Sequence, residues 1–268
     1  VEIIAEYLNY LELERGLTYN SLRLYKCDLL DFDEFIKQEL KLDAFDFTSL
    51  DADILREFTA WVERQGKSVA TVNRKLTALH GMWTWLRRNN QVERDPFTQV
   101  EREGQYRNKI PATLSEEEIK QLLDYPEHSL RSRIILEMIY ATGIRVAELV
   151  LLTLADIDLE RQLITIARSA KYKERVVPFN KVLKGYIEEY IVVHALEPVH
   201  KIFFAAGVPS GEAVSEREIF RLIRQAGAKA GLMKKVSPSI IRNSFIRHMK
   251  QRGAFKVLLR DLTGQKSV

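Results

Sequence analysis

Three stretches carry side chains able to do chemistry together. Ala141-Thr-Gly-Ile-Arg145-Val-Ala-Glu148-Leu149 sets an arginine just past a helix-ending glycine, with Glu148 one helical turn on. A basic segment follows with Lys171, Lys173 and Arg175. Far downstream, Ser237-Pro-Ser239-Ile-Ile-Arg242 places Ser239 and Arg242 three apart, on one face of a helix. Two arginines and a lysine from separate segments suit a phosphodiester. Guanidinium forks bind non-bridging oxygens bidentately and hold charge as it builds. A lysine can give a proton to the leaving oxygen.

The surrounding elements must hold these groups in place. Ser115 with Glu118 reads as a capping box opening a helix, and a second helix runs from about Leu130 to Ala141, where Gly143 breaks it. Leu163, Ile164 and Ile166, then Val176 and Val177, flank the basic stretch as a β-hairpin, the one convincing sheet element. Helices return at Lys181–Val193, at Ser215–Ala230 with a second capping box (Ser215 and Glu218), at Ser239–Arg252 after Pro238, and at Lys256–Leu262. The first hundred residues read as four helices. Ile3, Ile4, Tyr7, Leu8 and Leu11 mark the first, Thr18 caps the second, Asp51 starts the third and Ser68 caps the fourth. Short joins between them suggest a compact bundle. The expected organisation is a domain over 1–100, a polar linker over 101–112 and a second domain over 113–268.

Composition narrows the class. At 46% hydrophobic and 29% charged, the 268 residues can bury a core in an ordinary soluble protein. The single cysteine, Cys27, forms no internal disulfide, and no Cys/His ligand cluster is present, so an intracellular, cytoplasmic protein without metal is expected. No apolar run approaches the ~18 residues of a membrane span. The net charge is +4, but it is unevenly distributed. Residues 1–100 hold 13 Lys and Arg against 17 Asp and Glu; the remainder holds 28 against 20. Such polarisation fits a face that meets a polyanion, and equally a solvated helix face.

The combination resembles the tyrosine recombinases, the phage-integrase and Xer family. In the first domain, Gly16-Leu-Thr18-Tyr-Asn20-Ser-Leu22 with Asp28-Leu, and Ser68-Val-Ala-Thr71-Val-Asn73-Arg74-Lys75-Leu, are similar to the family's core-binding module. ATGIRVAELVLLTLADIDL, KERVVPF and SPSIIRNSFIRHMKQRGA then follow in family order. The resemblance implies a mainly α fold: a four-helix, SAM-like core-binding domain and a helical catalytic domain with a small β-hairpin or sheet. It implies a clamp on double-stranded DNA and attack by a tyrosine to form a 3′-phosphotyrosyl link, without cofactor. Full-length relatives assemble on paired sites, so a homo-oligomer (a tetramer) is expected there.

Carried over by position, Arg145 and Arg242 match the catalytic arginines, and Glu148 the acidic residue supporting the first. The catalytic lysine's column falls at Ala170 or Ser169, which makes Lys171 the nearest candidate and Lys173 the second. Ser239 stands where the family has histidine, and Gln265 where it has a later histidine or tryptophan. A hydroxyl cannot exchange protons near neutral pH as imidazole does. His248, six residues past Arg242, faces elsewhere and reads as a packing residue. The nucleophilic tyrosine is expected several residues beyond Gln265, past Val268, so the chain as written is expected not to cleave. The alternative is a regulatory or architectural relative that binds DNA without cutting it. Expected DNA contacts are Thr18, Asn20, Arg23 and Lys26 on the second helix, and Ser68, Thr71, Asn73, Arg74 and Lys75 on the fourth. Tyr172 and Arg175 join them from the hairpin.

Overall fold

A computed structural model describes residues 2–43, 45–100, 111–167, 174–203 and 213–264. The chain folds as two compact units, Val1–Lys109 and Ile110–Val268.

The first unit contains α1 (Glu2–Leu13), α2 (Tyr19–Gln38), α3 (Ala52–Arg64) and α4 (Val69–Arg88). Side-chain caps fix where three of them start. The oxygens of Thr18, Asp51 and Ser68 accept from the N–H groups of Ser21 (3.5 Å), Ile54 (2.9 Å) and Thr71 (3.3 Å), satisfying donors that the first helical turn leaves unpaired. The apolar stripes turn inward, so Leu29, Phe32, Leu55, Phe58, Leu76, Leu79 and Leu86 form the core. Phe32 and Phe58 meet edge to face with centroids 5.1 Å apart, the arrangement that ring quadrupoles prefer.

The second unit is built around α6 (Leu130–Thr142). Ile134, Ile135, Leu136, Met138 and Ile139 are all buried, as a helix covered on every side requires. Around it stand α5 (Glu116–Leu123), α8 (Lys181–His194), α9 (Glu216–Lys229) and α10 (Pro238–Gln251), followed by α11 (Lys256–Thr263). The expected hairpin is present as β2 (Leu163–Ile166) antiparallel to β3 (Arg175–Pro178), with Ile164 opposite Val177 and Ile166 opposite Arg175. A third strand, β1 (Ile157–Asp158), pairs with β2 on its other side. Two residues are too few to show alternation, which is why the sequence gives no sign of it.

The capping box at Ser115 and Glu118 forms in both directions, at 3.1 and 2.7 Å. The second is only half made, which corrects the sequence reading. Ser215 Oγ accepts from the Glu218 N–H at 3.2 Å, but the Glu218 carboxylate instead pairs with Arg131 at 3.2 Å. The fold is mainly helical, with a helical bundle and a second helical unit carrying a small sheet, as expected from the sequence.

Candidate functional site

The turn after α6 prepares the first arginine. Gly143 sits at φ +62°, and a Cβ there would lie 2.8 Å from the Phe245 ring, so both conformation and space call for glycine. The chain then reverses into α7 (Val146–Leu149), with Arg145 at its N-cap position. The Arg145 N–H donates to Glu148 Oε2 at 2.9 Å, and its Nη1 donates to Oε1 at 3.1 Å. A single carboxylate therefore holds both the backbone and the head of this arginine.

Arg242 reaches the same place from α10. It is 7% exposed; Nη1 donates to the Gly143 carbonyl, and Nη2 donates to the Thr263 carbonyl at 2.7 Å. Arg145 Nη2 donates to the next carbonyl, Gly264, at 3.0 Å. Arg175, the first residue of β3, donates from Nε to the carbonyl before it, Leu262, at 2.8 Å. Three successive carbonyls at the end of α11 thus take one arginine each. A helix C-terminus leaves such oxygens without intrahelical partners and carries partial negative charge, so it gathers cations.

Glu148 is the one carboxylate within this cluster among the described residues. Arg175 Nη1 and Nη2 donate to its two oxygens, both at 2.7 Å, in the fork geometry that binds carboxylates most firmly. Burial alone would raise the Glu148 carboxyl. The hydrogen bonds from Arg175 and the Arg145 N–H, with the two guanidinium charges, outweigh burial and hold it below its ordinary value. Arg145 and Arg175 share this one negative charge while Arg242 donates to carbonyls, leaving a positive excess where α7, β3, α10 and α11 meet.

The sequence-predicted residues fall into three groups. Arg145, Glu148 and Arg242 come together, and Ser239 lies exposed on α10, one turn before Arg242. Lys171, Tyr172, Lys173 and Gln265 lie outside the described residues. His248 packs, as expected: it is buried, with Nδ1 3.0 Å from the Tyr140 hydroxyl. Arg175 needs correction. It was expected at DNA, but each of its three nitrogens donates to Glu148 or Leu262, and its side chain is 7% exposed.

In the first unit, Thr18, Asn20, Arg23, Lys26, Ser68 and Arg74 are exposed, whereas Thr71 and Asn73 are half-buried. They occupy the opening turns of α2 and α4 or the caps before them. Lys75 is the second correction. It is 3% exposed, with Nζ 3.0 Å from Asp28 Oδ1 and also paired with Asp31, so it joins α4 to α2 and cannot reach a phosphate. Arg74 shares Asp28 from the half-exposed side.

The sequence reading also missed a basic groove. Arg217, Arg221 and Arg224, at helical spacing along α9, line it with the exposed Phe220 and Lys235. The i, i+4, i+7 spacing of those arginines was the available signal.

Residues 112–268 match the phage integrase family, and residues 4–90 match the phage integrase N-terminal SAM-like domain. The chain belongs to this family, the tyrosine recombinases, and is Xer-like. Its relatives include the tyrosine recombinase XerD of Oceanobacillus iheyensis, 29% identical over 271 residues that cover 99% of this chain and 90% of the relative. Tyrosine recombinase XerC of Thermodesulfovibrio yellowstonii is 28% identical over 274 residues, covering 99% and 88%. Among solved structures, XerH recombinase bound to its difH substrate superposes with a TM-score of 0.73 at 21% identity, over 98% of this chain and 77% of that one. A lambda integrase dimer bound to a COC′ core site gives 0.78 at 14% identity, over 99% and 91%. These structural likenesses show a shared fold. Among the described residues, no helix is long and apolar enough to cross a membrane.

Proposed function

We propose that this protein is a site-specific recombinase that binds duplex DNA and breaks and rejoins strands through a phosphotyrosyl intermediate. The observation carrying this reading is the convergence of Arg145 and Arg242, from distant parts of the chain, on adjacent carbonyls at the end of α11. Their guanidiniums take the non-bridging oxygens of one phosphate and stabilise the charge that builds there. A bond forms between phosphorus and the oxygen of the nucleophilic tyrosine expected past Val268, whose proton passes to solvent, as the bond to the 5′ oxygen breaks. Lys171 or Lys173 gives that oxygen its proton. Ser239 and Gln265 contribute hydrogen bonds to the phosphoryl group, and Glu148 keeps Arg145 in place. Thr18, Asn20, Arg23 and Lys26 at the start of α2, and Ser68, Thr71, Asn73 and Arg74 at the start of α4, anchor the duplex through phosphates and base edges. The protein works as an oligomer on paired sites, in an intracellular setting.

A second reading, a DNA-binding relative that does not cleave, is favoured by Ser239, because its hydroxyl cannot take imidazole's part in proton transfer. One experiment separates the two. Sites are selected from a random-sequence pool, then offered as nicked duplexes to the product of the complete reading frame. A covalent protein–DNA band that disappears in Arg145→Ala supports the recombinase; binding with no band supports the second reading.

A further inference from the structure

The geometry points to Arg175 as a positioning residue: together with the α11 C-terminal turn closed by Gly264, it holds the Arg145 guanidinium at the phosphate-binding site. This rests on the reading of that site given above. Arg175 is pinned at three points. Its fork grips both oxygens of Glu148 at 2.7 Å, and its Nε takes the Leu262 carbonyl at 2.8 Å. Glu148 Oε1 in turn accepts from Arg145 Nη1 at 3.1 Å, while Gly264 O accepts from Arg145 Nη2 at 3.0 Å. Arg175 therefore fastens two groups that hold Arg145: the carboxylate directly, and the α11 end through the Leu262 carbonyl, two residues before Gly264. Glu148, on the four-residue α7, is itself only 10% exposed, so its carboxylate depends on these guanidiniums for its partners.

Gly264 reports the same tightness from the other side. It sits at φ +62°, and a Cβ there would lie 3.3 Å from Arg175 Nη1 and 3.4 Å from Arg145 Nη1. Both guanidiniums lie against one backbone position, where a Cβ would press them back by a few tenths of an ångström and the positive φ already favours glycine. A lysine at 175 would hold one carboxylate oxygen as a point charge, but could not span the second oxygen and the Leu262 carbonyl. The arrangement requires arginine.

The test reads Arg145 directly, by side-chain 15N–1H NMR of the guanidinium in the full chain without DNA. In Arg175→Ala the Arg145 signal should shift and broaden; in Arg175→Lys it should fall between that and the wild type. Should Arg175→Ala fail to fold, Gly264→Ala and Arg175→Lys carry the same readout. An Arg145 signal unchanged in these variants overturns the proposal.

A double-mutant cycle on binding to a fluorescein-labelled random-sequence duplex gives the second readout. Arg175→Ala should weaken binding by about tenfold in the wild-type background and by less than about twofold in Arg145→Ala. Equal losses in both backgrounds would mean that Arg175 contacts DNA itself or acts only through global stability, and either contradicts the proposal. If Arg145→Ala does not weaken binding at all, the phosphate-site reading fails, and the NMR result still decides the role of Arg175.

Discussion

Two charged clusters in this protein are built from similar parts to opposite ends. In the first unit, Asp28 and Asp31 meet Arg74 and Lys75 between α2 and α4. Charges balance there, and the buried lysine has carboxylates as its partners. In the second unit, three arginines meet with one carboxylate: Glu148 pairs with Arg145 and Arg175, while Arg242 donates to the carbonyls of Gly143 and Thr263, and the α11 end takes one bond from each arginine. Carbonyl dipoles hold a guanidinium in place without cancelling its charge. The balanced cluster fastens two helices; the unbalanced one keeps a positive excess that suits an anion. The ratio of carboxylates to cations, more than the number of basic residues, separates a structural clasp from a binding site.

That contrast can be broken most sharply at Lys75. Lys75→Met leaves the buried Asp28 with only its half-exposed arginine, and should cost about 3 kcal/mol in urea unfolding. The salt dependence of DNA binding should not change, since Lys75 touches no phosphate. Gly143→Ala comes next. Its φ of +62° and the nearby Phe245 ring predict a loss of about 2 kcal/mol, with weakened DNA binding, because the Gly143 carbonyl holds Arg242.

Glu148→Gln should cost less, about 1 kcal/mol at neutral pH. It also carries a pH signature. The Glu148 carboxyl is held below its ordinary value of 4.5 in the folded state, so its stabilisation is present above that value and disappears as pH falls through the lower folded value. The fall of Tm below about pH 4.5 should therefore be shallower in Glu148→Gln than in the wild type. The smallest effect is expected at Lys26. Exposed on α2, it should leave stability within about 0.5 kcal/mol when changed to alanine, while the salt slope of DNA binding drops by roughly one counterion.

Much of this was legible in the sequence, for physical reasons that can be named. Caps at Thr18, Asp51, Ser68 and Ser115 fix helix starts through local hydrogen bonds, and local order is what a sequence displays. Arg145, Glu148 and Arg242 were visible because their spacing within short motifs is distinctive. Lys75 and Arg175 were misplaced because a basic side chain looks the same on paper whether it meets a phosphate or a buried carboxylate. Only the fold shows that Asp28 and Asp31 lie opposite Lys75, and that Glu148 lies opposite Arg175. The carbonyls of Leu262, Thr263 and Gly264 were invisible for a deeper reason: every residue has a carbonyl, and only the helix end decides which ones await a partner.

The central claim is that Arg145 and Arg242 hold one phosphate together. The slope of log affinity against log salt, measured on duplex DNA for Arg145→Ala, Arg242→Ala and the double variant, tests it directly. The double variant should reduce the slope by about one counterion in all, and neither single by more than that, since both arginines serve one phosphate. A double variant that loses about two counterions would contradict it.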